Sequence, residues 1–383
     1  MGSKAMFDTM GHTARRVLLT VFVAAGLIAT LIPATRTASA EPITVTDMRG
    51  RKVTLPEPAE RVVLPEGRHI LTLALLDDDP ASLLAGWGND LERYSPATYE
   101  AVANAFPAVR SLPIVGGAAG QTVSMEAIIA ADPDLVVFTL YGPAPEGLDR
   151  LDAAGIPYVF VDFFQEPLRK TVPSMRLLGA VLGREDRAEA FVAFYEQHMN
   201  AVAERLSGTE RTPDVFFHLN PNGRDCCVTS GPGNMSDFIA AAGGHNIGAD
   251  KVPGAIGRLS LEYVLAADPD FYLAGGGSTV SPGGLKIGPG VSPDEARTTL
   301  EHVAETPGVA RLGAIETGRG AGIWLFFFDN PLFFVGVEAM ATLLHPELFA
   351  DVDPEQTLAT LERDFLSIDL AGTFWMPLPT PAR

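Results

Sequence analysis

Two short stretches of the sequence combine residue types suited to holding a ligand. The first, "PEGRH", places Glu66, Arg68 and His69 directly after the apolar run "RVVLP", where an open α/β sheet presents its ligand-binding loops. The planar guanidinium fork of Arg68 matches a carboxylate or phenolate through two parallel hydrogen bonds, which makes it a candidate anion contact. Its alternative is an ordinary pair with a neighbouring carboxylate. His69 is a second candidate on the same loop, with capping of the following helix as its alternative. The other stretch, "NPNGRDCCVTSGPGNMSD", joins turn formers to Arg224 and to the adjacent Cys226 and Cys227. Arg224 is the second basic candidate. The cysteine pair reads equally as a vicinal disulfide or as two free thiols, either lining a cleft or shaping a turn. No base is spaced with it for nucleophilic chemistry.

Trp87, Tyr94, Tyr141, Trp324 and Phe326 fall in or beside loops and offer the flat faces that a large planar ligand needs; each could instead be core. The run Phe326–Phe328 is read as extended, which turns Phe327 away from its two neighbours. The histidines show no H-x-H or H-E-x-x-H spacing, so no bare-metal site and no cofactor are expected. A metal that arrives already chelated fits better.

These loops must be held by regular elements, and one phrase shows how. "SMEAIIAADPDLVVF" (124–138) recurs as "SLEYVLAADPDFYLA" (260–274). In each copy a serine caps a short helix, a proline stops it, and an apolar run enters a sheet. Glu126 and Glu262 stand at matched positions in the first turns, where a carboxylate offsets the helix macrodipole. A duplicated unit of this kind, with strands alternating with helices on either side, predicts an α/β fold of two similar lobes, each on a largely parallel sheet. Between them "REDRAEAFVAFYEQHMNAVAERL", Arg184–Leu206, lacks Gly and Pro and repeats apolar residues at three and four. It predicts one long, stiff helix. The expected division is a leader over 1–40, a first lobe over 41–165, connecting helices over 166–208 and a second lobe over 209–383.

The leader has the three parts of a secretory signal: Arg15 and Arg16, an apolar run of about 16 residues, and small residues up to Ala40. Cleavage there releases a chain without a lipid anchor, since no cysteine follows the run; a weak twin-arginine signal is the alternative. The formal net charge of −19 disfavours nucleic acid and anionic lipid as partners. With only 2 cysteines, and those adjacent, stability must come from packed cores. Nothing indicates more than a monomer.

The chain resembles class III periplasmic substrate-binding proteins of ABC importers, the group that carries ferric siderophores, haem and cobalamin. The resemblance spans essentially the whole chain after the leader. It rests on the opening hairpin "ITVTDMRGRKVTLP", the S-x-E…A-x-x-P-D unit once per lobe, "AAGGHNIG", the long connecting helix and "HPELF". It implies two Rossmann-like lobes bridged by the helix, a ligand in the cleft between them, small hinge motion, and Glu126 and Glu262 docking onto arginines of two permease subunits. A periplasmic receptor for a ferric siderophore complex is the expected function, with cobalamin or haem as the runner-up ligand. Haem would call for an axial ligand from Tyr94, Tyr141 or His69. An exported enzyme on paired α/β lobes is disfavoured by the lack of G-x-S-x-G, of a phosphate loop and of a dinucleotide fingerprint. An adhesion or interaction module is the third reading.

Overall fold

The computed structural model describes residues 41–117, 123–222, 226–280 and 282–379. The expected leader over 1–40 and Arg224 lie outside this set. The alternating stretch at the start folds into a hairpin, β1 (Ile43–Thr46) antiparallel to β2 (Lys52–Leu55). Five parallel strands follow: β3 (Val62–Leu64), β4 (Leu84–Gly88), β5 (Ile114–Gly116), β6 (Leu135–Thr139) and β7 (Tyr158–Val161), in the order β5-β4-β3-β6-β7. Their near-continuous apolar sequences reflect burial on both faces. Side chains alternate along a strand, so Val63, Val136, Phe138 and Phe160 pack on Met125, Ile128 and Leu151 on one side. On the other, Val62, Leu135, Val137 and Val161 meet the helices Ile70–Ala74 and Pro167–Leu182.

The second lobe repeats the plan. Its sheet contains β8 (Asp214–Leu219), β10 (His245–Asn246), β12 (Phe271–Gly276) and β14 (Gly320–Trp324), all parallel, with β16 (Trp375–Pro377) antiparallel at one edge. Two small ribbons complete it, β9 (Val228–Ser230) with β11 (Ile256–Arg258) and β13 (Gly288–Pro289) with β15 (Gly372–Thr373). The edge strand β16 carries no alternating signature, and the sequence gives no warning of it.

The duplicated phrase is a duplicated structure. Ser124 Oγ accepts from the Ala127 amide and Ser260 Oγ from the Tyr263 amide, both at 3.1 Å. Both helices end at an aspartate in the left-handed region, Asp132 (φ 51°) and Asp268 (φ 42°), a conformation that Asp tolerates better than most residues. The following proline cannot continue the helix, and the chain enters β6 or β12.

One helix, Glu185–Leu206, joins the lobes. Its 22 residues span about 33 Å at a rise of about 1.5 Å each. Phe191, Val192 and Tyr195 are buried on one side, where Phe191 meets Phe334 of the second lobe at 6.3 Å. Against the preceding helix the approach is close: a Cβ on Gly179 would stand 2.6 Å from the Ala188 Cβ, so only glycine fits. A single buried apolar cluster therefore runs from the first sheet through this helix into the second, and residues 42–383 form one compact unit.

Candidate functional site

In each sheet the strand order reverses beside a central strand, and the loops leaving the carboxyl ends there face a common crevice. From the first lobe, the turn after β3 supplies Arg68, the loop after β6 Tyr141, and the loop after β7 Phe164. The second lobe contributes Asn220 at the end of β8, Gly276 and Gly277 at the end of β12, and Phe326 and Phe328 beyond β14. Ser230 and Ile256 of the β9–β11 ribbon, with Asn234 and Met235 at the start of the next helix, close one side. The cleft measures about 400 Å³. The turn that carries Arg68 lies tight against β4: a Cβ on Gly67 would fall 2.2 Å from the Gly88 carbonyl oxygen.

Aromatic rings line the crevice from lobe to lobe. Tyr141 meets Phe164 at 5.0 Å, Phe164 meets Phe328 at 5.8 Å, and Phe328 meets Phe326 at 5.9 Å. Asn234 ties the same point with its amide, donating at 2.8 Å to the carbonyls of both Phe164 and Phe328. The "FFF" run departs from the extended reading: β14 stops at Trp324 and Leu325–Asp329 is a 3₁₀ turn. Asn330 Nδ2 closes that turn by donating to the Phe326 carbonyl at 2.6 Å. Phe326 and Phe328 still face the cleft while Phe327 is buried against Trp324 at 5.1 Å.

Beneath the rings lies a buried ionic cluster. Arg68 donates through Nε to Asp90 at 2.7 Å and through Nη1 to Asp329 at 3.2 Å. The Tyr141 hydroxyl donates to the same Asp329 oxygen. Arg68 is 8% exposed, Asp90 1% and Asp329 0%, so the charge of the guanidinium is balanced within the protein by these two carboxylates. Glu66 completes the group at 2% exposure. Burial, reinforced by the charge of Asp329, pushes its carboxyl up to about 8. Burial also lifts Asp329 to about 7, against the pull of Arg68. One oxygen of each, Glu66 Oε2 and Asp329 Oδ1, is buried without a hydrogen-bond partner among the described residues.

Four of the sequence-based candidates, Arg68, Tyr94, Tyr141 and Phe326, come together in this cleft. The other described candidates, His69, Trp87 and Trp324, do not line it. His69 is 2% exposed, with Nδ1 3.3 Å from Thr72 Oγ1 and Nε2 2.5 Å from Thr139 Oγ1. Burial, with Arg68 alongside, lowers its pKa to about 3, so it is a neutral structural imidazole. Trp87 lines a separate pocket with Tyr99 and Arg110. Trp324 is buried behind Phe326, ring to ring at 5.9 Å. Cys226 and Cys227 are bonded to each other at the foot of β9, outside the lining, where Leu259 and Arg258 donate to their carbonyls.

Phe164, Phe217, Asn234 and Phe328 line the cleft without having been singled out, and Asp90 and Asp329 shape its charge. Only the position of Phe328 beside Phe326 could have marked it. Glu126 and Glu262 sit on the outer first turns of their helices, both exposed. Glu126 forms an ion pair with Arg150 of its own lobe.

Comparison with known proteins accords with this architecture. The solved structure of a TroA-like periplasmic binding protein, FepB from Veillonella parvula, is similar at a TM-score of 0.79 and 27% identity, over 88% of this chain and 100% of that one. A periplasmic heme binding protein from Pseudomonas aeruginosa shares the fold at a TM-score of 0.57 and 19% identity, over 85% of this chain and 100% of its own. Among curated relatives, a cobalamin-binding protein of Halobacterium salinarum is 29% identical over 243 residues, 61% of this chain and 58% of that protein. A vitamin B12-binding protein of Salmonella typhimurium is 28% identical over 159 residues, 41% of this chain and 56% of that one. The chain thus spans less than two thirds of the length of these curated relatives. The family model for periplasmic binding proteins matches residues 73–321, from the first lobe through the connecting helix to β14, and the chain belongs to that family.

Proposed function

We propose that this protein is an exported, periplasmic substrate-binding protein that captures a bulky metal chelate of near-zero net charge in the inter-lobe cleft and hands it to an ABC permease. A corrinoid of the cobalamin class is the ligand this reading favours. The observation that carries it is the state of Arg68: it is the one charged residue among the described residues lining the cleft, and its fork is already engaged by Asp90 and Asp329. What remains facing the ligand is aromatic and aliphatic surface with a few neutral polar groups. Such a surface suits a large chelate whose own ligands have neutralised the metal. The names of the Halobacterium and Salmonella relatives point the same way.

A ferric siderophore is the second reading. It rests on the guanidinium of Arg68, which lies 5.8 Å from the rings of both Phe326 and Phe328 and could face an anionic chelate if Asp329 let it go. Haem is less well served. His69 is enclosed and the Tyr141 hydroxyl is given to Asp329, which leaves Tyr94 as the axial ligand within reach of the cleft.

For delivery, Glu126 and Glu262 place one carboxylate on the outer face of each lobe. Exposed pairs contribute at most about 1 kcal/mol each, so the reading requires both lobes to engage together. Glu126 would exchange Arg150 for a permease arginine. A thermal-shift panel of cyanocobalamin, haemin, and neutral and anionic ferric siderophores tests the ligand assignment. A ligand present at a hundred times its Kd stabilises by about 2.7 kcal/mol, so the corrinoid should raise the melting temperature by several degrees. A shift with an anionic siderophore and none with the corrinoid reverses the order of the two readings.

A further inference from the structure

A second cavity, of about 540 Å³, opens on the first lobe beside the cleft, with Tyr141 lining both. Glu66 and Thr139 line it from the carboxyl ends of β3 and β6, and Glu146 from the exposed loop beyond β6. The described lining has two carboxyl groups and no cation. The bases nearby are occupied: Arg68 by Asp90 and Asp329, and Arg49 by the Gly142 carbonyl and the face of Phe160 at 4.5 Å. Glu66 is 2% exposed, and its Oε2 has no partner among the described residues. A buried acceptor left unpaired is costly, and the group that would relieve it is a hydrogen-bond donor.

We infer that this cavity is a subsite for a hydrogen-bond-donating arm of the bound chelate, an amide NH2 or an ammonium, which reaches past Tyr141 and donates to Glu66. The inference rests on the reading of the main cleft as a chelate site and adds to it the polarity of the ligand's periphery. A neutral or positive N–H arm is admitted because it stabilises the ionised form of Glu66, whereas a carboxylate arm would add a further negative charge to Asp90 and Asp329 around one arginine.

Proton linkage gives the subsite a signature. Free Glu66 holds its proton up to about pH 8, since burial, Asp329 and Asp90 oppose its ionisation more than Thr139 and Arg68 favour it. An N–H donor favours the charged carboxylate, lowers that value and expels the proton. Affinity for the amide-bearing ligand therefore rises with pH from 6 to 8 and then levels.

The test uses the full chain, cyanocobalamin and its mono-acid derivatives, in which one amide at a time is hydrolysed to a carboxylate. Titrations at pH 6, 7 and 8 are run on the wild type and on Glu66→Gln, with melting curves to check folding. One acid derivative should bind the wild type about tenfold more weakly than the amide at pH 8, as expected for losing a charge-assisted hydrogen bond. Glu66→Gln should flatten the pH profile and narrow that gap. The comparison of derivatives needs only the wild type, so it stands even if the variant folds poorly. Corrinoid binding that is independent of pH and indifferent to every amide-to-acid change overturns the subsite alone. Absence of all corrinoid binding overturns the reading of the cleft and the subsite with it.

Discussion

Arg68 and Asp329, 261 residues apart in sequence, meet at 3.2 Å across the floor of the cleft and tie the first lobe to the second. Asp90 holds the other edge of the same guanidinium at 2.7 Å. The two partners are not equivalent. Removing the arginine leaves Asp90, Asp329 and Glu66 buried without a cation, whereas neutralising Asp329 leaves Arg68 still paired with Asp90. Removing one member of a buried pair costs about 3–5 kcal/mol when it strands a charge. Arg68→Ala should therefore lose about that much stability in urea unfolding at pH 7.5. Asp329→Asn should stay within about 1 kcal/mol of the wild type, because its buried charge brings little net gain. Equal losses in the two variants would contradict this reading of the cluster.

The stability of the unliganded protein should fall as pH rises from 6.5 to 8. Glu66 and Asp329 are raised from 4.5 and 3.8 to about 8 and about 7, so over this window the folded state binds protons that the unfolded chain has already released. The slope of unfolding free energy with pH is then negative, up to about 1.4 kcal/mol per unit for each group still protonated. His69 acts in the opposite sense, being lowered from 6.5 to about 3, but only below pH 6.5, which sets the lower end of the window. Glu66→Gln should remove most of the fall, as read from denaturant midpoints at pH 6.5, 7.2 and 8.

Docking can be separated from binding. Exchanging Glu126 and Glu262 together for Arg should lower uptake in a reconstituted or cellular transport assay by tenfold or so, with ligand affinity unchanged within about twofold. Their exposed positions, away from the cleft, are the reason. Wild-type uptake by the double variant would dismiss the assignment.

The fold was legible where periodicity carries it. The two S-x-E…D-P-D units fold alike down to the cap and the left-handed aspartate, and the connecting helix starts one residue after its expected Arg184. The site was less legible because its chemistry is set by distant partners. Nothing near "PEGRH" announces that Asp90 and Asp329 will claim Arg68, nor that Thr72 and Thr139 will enclose His69. Trp87 and Trp324 read as loop aromatics, but Trp87 is the penultimate residue of β4 and Trp324 the last of β14, both buried. The extended reading of Phe326–Phe328 failed through one local hydrogen bond, from Asn330 to the Phe326 carbonyl, that an alternating pattern cannot express.

A calorimetric titration of the purified chain with cyanocobalamin at pH 7.5 tests most directly the proposal that the cleft takes a chelate without net charge. The expected result is saturable 1:1 binding with Kd below about 1 μM, or about −8 kcal/mol, and a negative heat-capacity change from burial of the aromatic faces. No heat with the corrinoid, together with micromolar binding of an anionic ferric siderophore under the same conditions, would contradict it.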